Sequence, residues 1–167
     1  MSATFEVFMY LTLPVLEKKC SLDDCFSLFS QLENMTGEEK WKCPKCKKYS
    51  NATKKIEIWK FPPLLIINLK RFKNHGIWRN KITTMVDYPL ENLDLEKYAI
   101  IKPQTKYRLY AISKHKGYIN GGHYTAMCHH FLLKKWFEFN DSIIKEINDS
   151  SLLKSTDAYI LFYSEYN

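Results

Sequence analysis

The chain has 167 residues, a formal net charge of +7, and 46% hydrophobic and 15% aromatic residues. That length suits one domain or a large part of one, and that apolar content excludes a disordered chain. The lysines are scattered, which is typical of a solvated surface and argues against nucleic acid as a partner. No apolar run approaches the ~20 residues that a transmembrane helix needs, so we predict no membrane span.

The first quarter of the chain predicts a strand followed by a helix. Apolar and polar residues alternate over 4–13, which is typical of a strand, and Pro14 should close it. Ser21 is a candidate N-cap with Asp24 as its capping-box partner, so a helix should begin directly after it. Cys25 lies on the apolar face of that helix and is expected to be a core residue.

The middle of the chain predicts several short elements. Segment 64–69 is nearly continuously apolar, which indicates a strand covered on both faces. The other predicted elements are strand, knuckle and strand at 41–46, a strand at 56–59, a polar loop at 73–80 and a strand at 82–86.

The second half predicts further strands and one more short helix. Segment 116–122 holds three of the five glycines and is expected to be flexible. The predicted elements are strands at 107–115, 123–128 and 135–139, a helix from Asp149 to Lys154, and a last strand at 158–163. With no alternation of strands and long helices, the pattern indicates an α+β fold of mostly antiparallel strands.

Two motifs carry the candidate chemistry. Residues 121–124 read Gly-Gly-His-Tyr, and residues 136–141 read Trp-Phe-Glu-Phe-Asn-Asp. A lone histidine is more often structural, but a hairpin between these motifs would return Asn140 or Asp141 to His123. In a cysteine protease the imidazole needs a thiol on one side and an orienting group on the other, and an amide oxygen can serve as that group.

No cysteine has a convincing nucleophile context. Cys25 is assigned to the core, and Cys20 follows two lysines but precedes the helix rather than lying at its N-terminus. Cys128 lies five residues after His123 on the same predicted strand, so its side chain should point to the opposite face. An odd number of cysteines that includes a CxxC favours a reduced, intracellular chain.

Cys43 and Cys46 form a CxxC motif, which is half of a tetrahedral zinc site. From spacing alone, a redox pair and coincidence remain open, although the redox alternative lacks its usual βαβ context. The aromatic and basic residues around the pair favour a zinc-ribbon knuckle. His129 and His130 are weaker candidates for further ligands.

Five segments together resemble the ubiquitin-specific protease family of deubiquitinating enzymes. They are residues 62–72, 86–90, 121–126, 136–141 and 158–163. The amino-acid sequences of residues 55–63 and 88–98 are most similar to the ubiquitin carboxyl-terminal hydrolase 8 subgroup. The resemblance implies a papain-like cysteine protease fold without its thumb, in which 1–61 form part of the zinc-ribbon fingers and 62–167 form the antiparallel β palm. Residues 1–167 would then be the C-terminal portion of a catalytic domain.

The resemblance also implies roles for individual residues. His123 would be the general base and acid, Asn140 the third member of the triad, and Asp141 its neighbour. Gly121 and Gly122 would belong to a loop that closes over the tail of ubiquitin, and Tyr124 would line the channel for its terminal Gly-Gly. Cys43 and Cys46 would bind a structural zinc ion as a half-site, and catalysis would need no cofactor.

The implied function is hydrolysis of isopeptide bonds after the C-terminal glycine of ubiquitin, with ubiquitin and ubiquitinated proteins as partners. Because the chain lacks the family's cysteine box, we expect it to be inactive alone. One alternative is a non-catalytic ubiquitin-binding pseudo-protease, and another is a nucleic-acid-binding zinc ribbon, which leaves the His and Asn motifs unexplained. The implied location is the cytoplasm, with an endosomal association suggested by the subgroup and the nucleus left open.

Overall fold

A computed structural model describes residues 3–75, 78–118 and 121–166. One α-helix, α1, spans Leu22–Phe29, and 3-10 helices span Gly37–Glu39, Glu96–Tyr98 and Ser150–Leu153. The strands are β1 (Leu11–Pro14), β2 (Cys20–Ser21), β3 (Glu33–Met35), β4 (Trp41–Lys42), β5 (Tyr49–Ser50), β6 (Ala52–Lys54), β7 (Leu64–Lys70), β8 (Phe72–His75), β9 (Trp78–Lys81), β10 (Val86–Asp87), β11 (Lys106–Tyr118), β12 (Gly121–His130), β13 (Lys135–Asn140), β14 (Ile143–Ile147) and β15 (Ala158–Tyr166).

A seven-stranded sheet in the order β1-β7-β15-β11-β12-β13-β14 organises the molecule. Neighbouring strands are antiparallel except for β1 and β7, which run parallel. Four two-stranded ribbons surround it: β2 with β10, β3 with β6, β4 with β5, and β8 with β9. The expected α+β class with mostly antiparallel strands is therefore confirmed, and no helix in the described ranges is long and apolar enough to cross a bilayer.

The core lies between the sheet and α1. Along β7, Leu65, Ile67 and Leu69 are fully buried, while the residues between them are only half-buried and Leu64 is exposed. The strand was expected to be covered on both faces, but in this structure only one face is fully buried. Large aromatic side chains fill the rest of this core, with their hydroxyls bonded to backbone carbonyls; they are Tyr88, Tyr107 and Tyr163.

The predicted capping box is present at the start of α1. The backbone N–H of Asp24 donates to the Ser21 hydroxyl at 3.1 Å, and the Ser21 N–H donates to the Asp24 carboxylate at 2.8 Å. These hydrogen bonds lower the pKa of Asp24. Cys25 is fully buried as predicted, and burial together with nearby Cys20 raises its pKa to about 12, so it is an inert thiol at neutral pH.

Three predicted strands are shorter than expected because pairing partners limit them. Of the segment 4–13, only Leu11–Leu13 lies in a strand, β1, which ends at Pro14; its pairing with β7 covers Ile67–Lys70 and does not extend to the earlier residues. Of the segment 56–59, only Ile58 makes an isolated bridge. The predicted strand 82–86 was also wrong for most of its length, because only its last residue enters β10.

Two predicted loops are instead β structure. The polar segment 73–80 lies largely in the β8–β9 ribbon, with residues 76–77 outside the described ranges. A two-stranded ribbon satisfies its hydrogen bonds internally, so it does not need an apolar pattern. The glycine-rich segment 116–122 continues β11 to Tyr118 and opens β12 at Gly121. The predicted helix after Asp149 forms as a 3-10 turn with Asp149 as its N-cap.

A buried arginine connects three separate parts of the chain. The Arg71 guanidinium donates to the carbonyls of Ala158 at 2.6 Å, Ile82 at 3.0 Å and Thr84 at 2.8 Å. Burial lowers its pKa, and no described group accepts from its second terminal nitrogen, Nη2. The carbonyls of Ile82 and Thr84 therefore bond to a side chain, which explains why this predicted strand does not pair with another strand.

Two glycines in the β11–β12 hairpin are required by close contacts. A Cβ at Gly117, whose φ is +120°, would lie 2.7 Å from the Gly121 oxygen. A Cβ at Gly122 would lie 2.2 Å from Nε2 of His115 and 2.9 Å from the Lys116 oxygen. At Gly121 a Cβ would meet no described atom within 4 Å. The glycine pair before His123 thus has one packed and one open member.

We expect Gly122→Ala to destabilise the fold by about 1–3 kcal/mol, because the buried His115 ring has no free space into which it can move. Gly121→Ala is the matched control and should change the free energy of unfolding by less than about 1 kcal/mol. Urea unfolding followed by tryptophan fluorescence measures both. Equal losses for the two variants would contradict the packing role of Gly122.

Arg71→Met is expected to cost at least about 3 kcal/mol, because it leaves three carbonyls without their charged donor. Lys70→Met is the control, since the Lys70 side chain is exposed on the neighbouring position. Thermal and urea unfolding of both variants provides the comparison. A neutral Arg71→Met would mean that these bonds add no net stability.

Candidate active site

The register of two antiparallel strands brings the predicted catalytic residues together. β12 begins at Gly121 and β13 ends at Asn140, with Ala126 opposite Phe139. The start of one strand and the end of the other therefore lie side by side. Nε2 of His123 lies 2.6 Å from Oδ1 of Asn140, which is a short hydrogen bond.

This hydrogen bond sets the proton arrangement of the imidazole. An amide oxygen only accepts, so Nε2 of His123 carries the proton and donates to Asn140. The other ring nitrogen, Nδ1, is then unprotonated in the neutral ring and can accept a proton. Half of the His123 side chain is exposed, so a group from another segment or molecule can reach it.

Asp141 lies beside the pair but in a different role. Its carboxylate is 3.9 Å from Nε2 of His123 and largely exposed. It occupies the first position of the two-residue turn between Asn140 and Ile143, with a φ of +50° that aspartate tolerates better than most residues. Asn140 therefore makes the direct contact, and Asp141 adds a screened negative charge.

Tyr124, which follows His123 on β12, faces the other side of the sheet and forms an aromatic layer with His115. The Tyr124 ring is exposed on one side and lies 4.6 Å from the His115 ring and 6.3 Å from Tyr159, measured between centroids. Burial lowers the pKa of His115, which favours its neutral form. His115 was predicted only as the last residue of a strand. Simple alternation does not identify it as buried, because β11 has register shifts at Leu109/Ala111 and Ser113/Lys114.

The described cysteines lie apart from the hydrogen-bonded pair of His123 and Asn140. Sγ of Cys20 and Sγ of Cys25 are 3.9 Å apart in the core near α1. Burial raises the pKa of Cys128, and its place on β12 puts it on the face opposite His123. Across the described residues, no cysteine Sγ makes a hydrogen bond with His123.

Cys43 and Cys46 lie in the turn that joins β4 and β5. The turn is closed by the N–H of Lys47 donating to the Cys43 carbonyl at 2.9 Å, and Lys47 has a φ of +62°. Backbone N–H groups at positions 46 and 45 donate to the Cys43 sulfur and lower its pKa. A stabilised thiolate is the form that binds zinc, so the donors fit the metal.

The described ranges contain no group of three or more potential metal ligands. The pair in the β4–β5 turn would therefore supply two of the four ligands that a structural zinc ion needs. The suggested replacement ligands, His129 and His130, do not join it. His129 packs against Trp136 on the seven-stranded sheet, and Nδ1 of His130 accepts from the Leu133 N–H at 3.2 Å.

Comparison with known proteins places the whole chain in one family. The family model described as ubiquitin carboxyl-terminal hydrolase matches residues 5–163. Ubiquitin carboxyl-terminal hydrolase 2 of Gallus gallus is 42% identical over 166 residues, covering 97% of this chain and 46% of the relative. Ubiquitin carboxyl-terminal hydrolase 8 of Arabidopsis thaliana is 42% identical over 150 residues, covering 88% of this chain and 17% of the relative.

Comparison with solved structures agrees with this family match. A chain in the yeast SAGA DUB module superimposes with a TM-score of 0.80 at 33% identity, covering 96% of this chain and 36% of that one. A chain of the SAGA DUB module bound to ubiquitin aldehyde superimposes with a TM-score of 0.78 at 31% identity, with the same coverage of both chains. This chain thus spans less than half the length of the relatives it matches. The match over residues 5–163, at the motifs that predicted it, shows that the chain belongs to the ubiquitin carboxyl-terminal hydrolase family.

Proposed function

We propose that this chain provides the histidine and asparagine part of the active site of a cysteine-type deubiquitinase, which hydrolyses isopeptide bonds after the C-terminal glycine of ubiquitin. The observation that carries the proposal is the 2.6 Å hydrogen bond between His123 and Asn140 at one end of the β12–β13 hairpin. It leaves Nδ1 of an oriented, half-exposed imidazole available for proton transfer. The nucleophile would be a cysteine outside these 167 residues.

The proposed reaction has two halves. The nucleophilic thiol gives its proton to Nδ1 of His123, and the thiolate attacks the glycine carbonyl. The tetrahedral intermediate collapses as the imidazolium returns that proton to the leaving lysine amine, which leaves a thioester. Water then loses a proton to Nδ1, attacks the thioester and releases the ubiquitin carboxylate and the thiol. Asn140 keeps the ring in place throughout.

Substrate contacts are assigned to residues that border His123. The exposed face of Tyr124 and the backbone of Gly121 and Gly122 adjoin the imidazole along β12, where an extended peptide without side chains would fit. The neighbouring structure bound to ubiquitin aldehyde supports ubiquitin as the substrate of the family. The close packing of Gly122 against the His115 ring would hold this surface rigid.

The wider architecture follows the same assignment. We assign the seven-stranded sheet, which includes β1 from the first 61 residues, to the palm. The ribbons β3–β6 and β4–β5 within 1–61 are assigned to part of the fingers. Cys43 and Cys46 would hold one side of a structural zinc ion. The cytoplasm is the proposed compartment, because a reducing environment keeps such thiols available for metal.

A second candidate is a non-catalytic ubiquitin-binding protein. It is favoured by the arrangement of the cysteines, none of which makes a hydrogen bond with His123 across the described residues. The transcript upstream of Met1 separates the two functions. A frame that continues into a cysteine box supports the enzyme, whereas a product that starts at Met1, binds ubiquitin and does not cleave it supports the alternative.

In the longest native product, we expect Asn140→Ala to lower kcat/KM for a fluorogenic ubiquitin substrate by on the order of 100-fold, because the ring loses its direct acceptor. Asp141→Ala, the matched change one residue away, should lower it by less than about 10-fold, since that carboxylate is exposed and more distant. The reverse ranking would assign the orienting role to Asp141.

Zinc content is expected to depend on the CxxC turn. Cys43→Ser or Cys46→Ser should reduce the metal bound per chain by about tenfold or more in the longest native product, because each removes a thiolate ligand. Cys128→Ser is the control and should leave zinc content unchanged, as Cys128 lies on β12, away from the turn. Elemental analysis after gel filtration measures it. Undiminished zinc in the CxxC variants would refute the half-site.

A further inference from the structure

The turn between β12 and β13 exposes three consecutive apolar side chains. Phe131, Leu132 and Leu133 are 54%, 90% and 57% exposed, at a position where turns usually carry polar residues. The turn is ordered by local bonds, with the Leu133 N–H donating to His130 and Lys134 in a left-handed conformation. The three side chains therefore protrude from a stable hairpin end, which we call the apolar tip.

Two cations, Arg108 and Lys134, lie at the apolar tip. The Arg108 guanidinium lies between the Phe131 ring at 5.7 Å and the Tyr166 ring at 5.1 Å. Its Nε is buried with no described hydrogen-bond partner. Neither Arg108 nor Lys134 forms an ion pair with any carboxylate of the described ranges, whereas the next residue, Lys135, pairs with Glu146 at 2.7 Å. Two positive charges thus remain available beside the exposed apolar surface.

The apolar tip lies at the opposite end of the hairpin from the candidate active site. His123 is near the start of β12 and His130 is its last residue. At about 3.3 Å per residue, the seven-residue separation is roughly 23 Å. A surface that holds the tip therefore does not cover His123, and this inference does not depend on the proposed function.

We propose that the apolar tip docks this protein onto the surface of an anionic lipid bilayer. Phe131, Leu132 and Leu133 would enter the interface, while Arg108 and Lys134 would contact lipid phosphates. A convex tip with side chains pointing outward suits a deformable interface, whereas a protein partner would need a matching cup. The net charge of +7 adds long-range attraction to an acidic surface.

Binding to an anionic bilayer should need both the apolar side chains and the cations of the tip. Glu146 already neutralises Lys135, and Glu91 lies near His129 at the same end of the sheet. Three apolar side chains with two free cations form a small anchor, and one such anchor gives reversible binding. Binding is therefore expected to fall when either the apolar or the charged part is removed.

Vesicle sedimentation with the 167-residue chain tests the proposal. Vesicles of phosphatidylcholine with 30% phosphatidylserine should bind it, and pure phosphatidylcholine should bind it much less. Leu132→Asp should lower the bound fraction by about tenfold, because it removes the most exposed apolar group and adds repulsion. The combined Arg108→Gln and Lys134→Gln variant should lose most of the preference for the anionic vesicles.

Leu152→Asp is the matched control, since Leu152 is 56% exposed on the 3-10 turn away from the tip. It lowers the net charge from +7 to +6, as Leu132→Asp does, and its binding to anionic vesicles should stay close to that of the wild type. Unfolding curves check that the variants fold. Equal losses for Leu132→Asp and Leu152→Asp would overturn the proposal, because they would indicate general charge attraction.

Two further outcomes would also overturn it. The first is no binding of the wild-type chain to anionic vesicles. The second is strong protection of the amides of the apolar tip from hydrogen exchange in the longest native product without lipid, relative to the 167-residue chain. That protection would mean that a protein segment covers the tip.

Discussion

The antiparallel register between β12 and β13 is the constraint on which the candidate site depends. Side chains alternate between faces along a strand, so a slip of one residue would move Asn140 away from His123. The hairpin turn and the pairing of β13 with β14 both hold this register. A hydrogen bond of 2.6 Å between two half-exposed residues is therefore set mainly by the backbone ladder rather than by the two side chains.

The ladder is held in turn by buried polar groups that bond to backbone. Arg71 joins β15 to the segment after β9 through carbonyls alone. His115 packs against Gly122, its N–H donates to the Asp157 carbonyl, and its own carbonyl accepts from Lys81. Because a buried donor or acceptor is costly to leave unpaired, these contacts allow few alternative arrangements of the sheet. The β11–β12 ladder that carries His123 is thus held by the packing and hydrogen bonds of His115.

The two ends of the β12–β13 hairpin differ in chemistry. The end at His123 combines a packed glycine with an oriented imidazole, whereas the apolar tip combines exposed hydrophobic side chains with cations that pair with no carboxylate of the described residues. The CxxC turn lies on a separate two-stranded ribbon outside the seven-stranded sheet. The imidazole, the CxxC turn and the apolar tip are therefore in separate parts of the fold, so each can be altered without the others.

Local signals in the sequence determined the elements that form from local contacts. The capping box at Ser21 and Asp24, the CxxC turn and the long alternating strands appear where they were predicted, because neighbouring residues decide them. The motifs around His123 and Asn140 likewise determined the family.

Only the tertiary structure decided which strands pair and which side chains meet. Segments 4–13, 56–59 and 82–86 have strand patterns, yet each depends on a partner that the fold does not provide along its length. The distances from His123 Nε2 to Asn140, 2.6 Å, and to Asp141, 3.9 Å, are likewise not encoded in any pattern. The buried bonds of Arg71 and the exposure of Leu132 are also products of non-local packing, which a sequence specifies only through the whole fold.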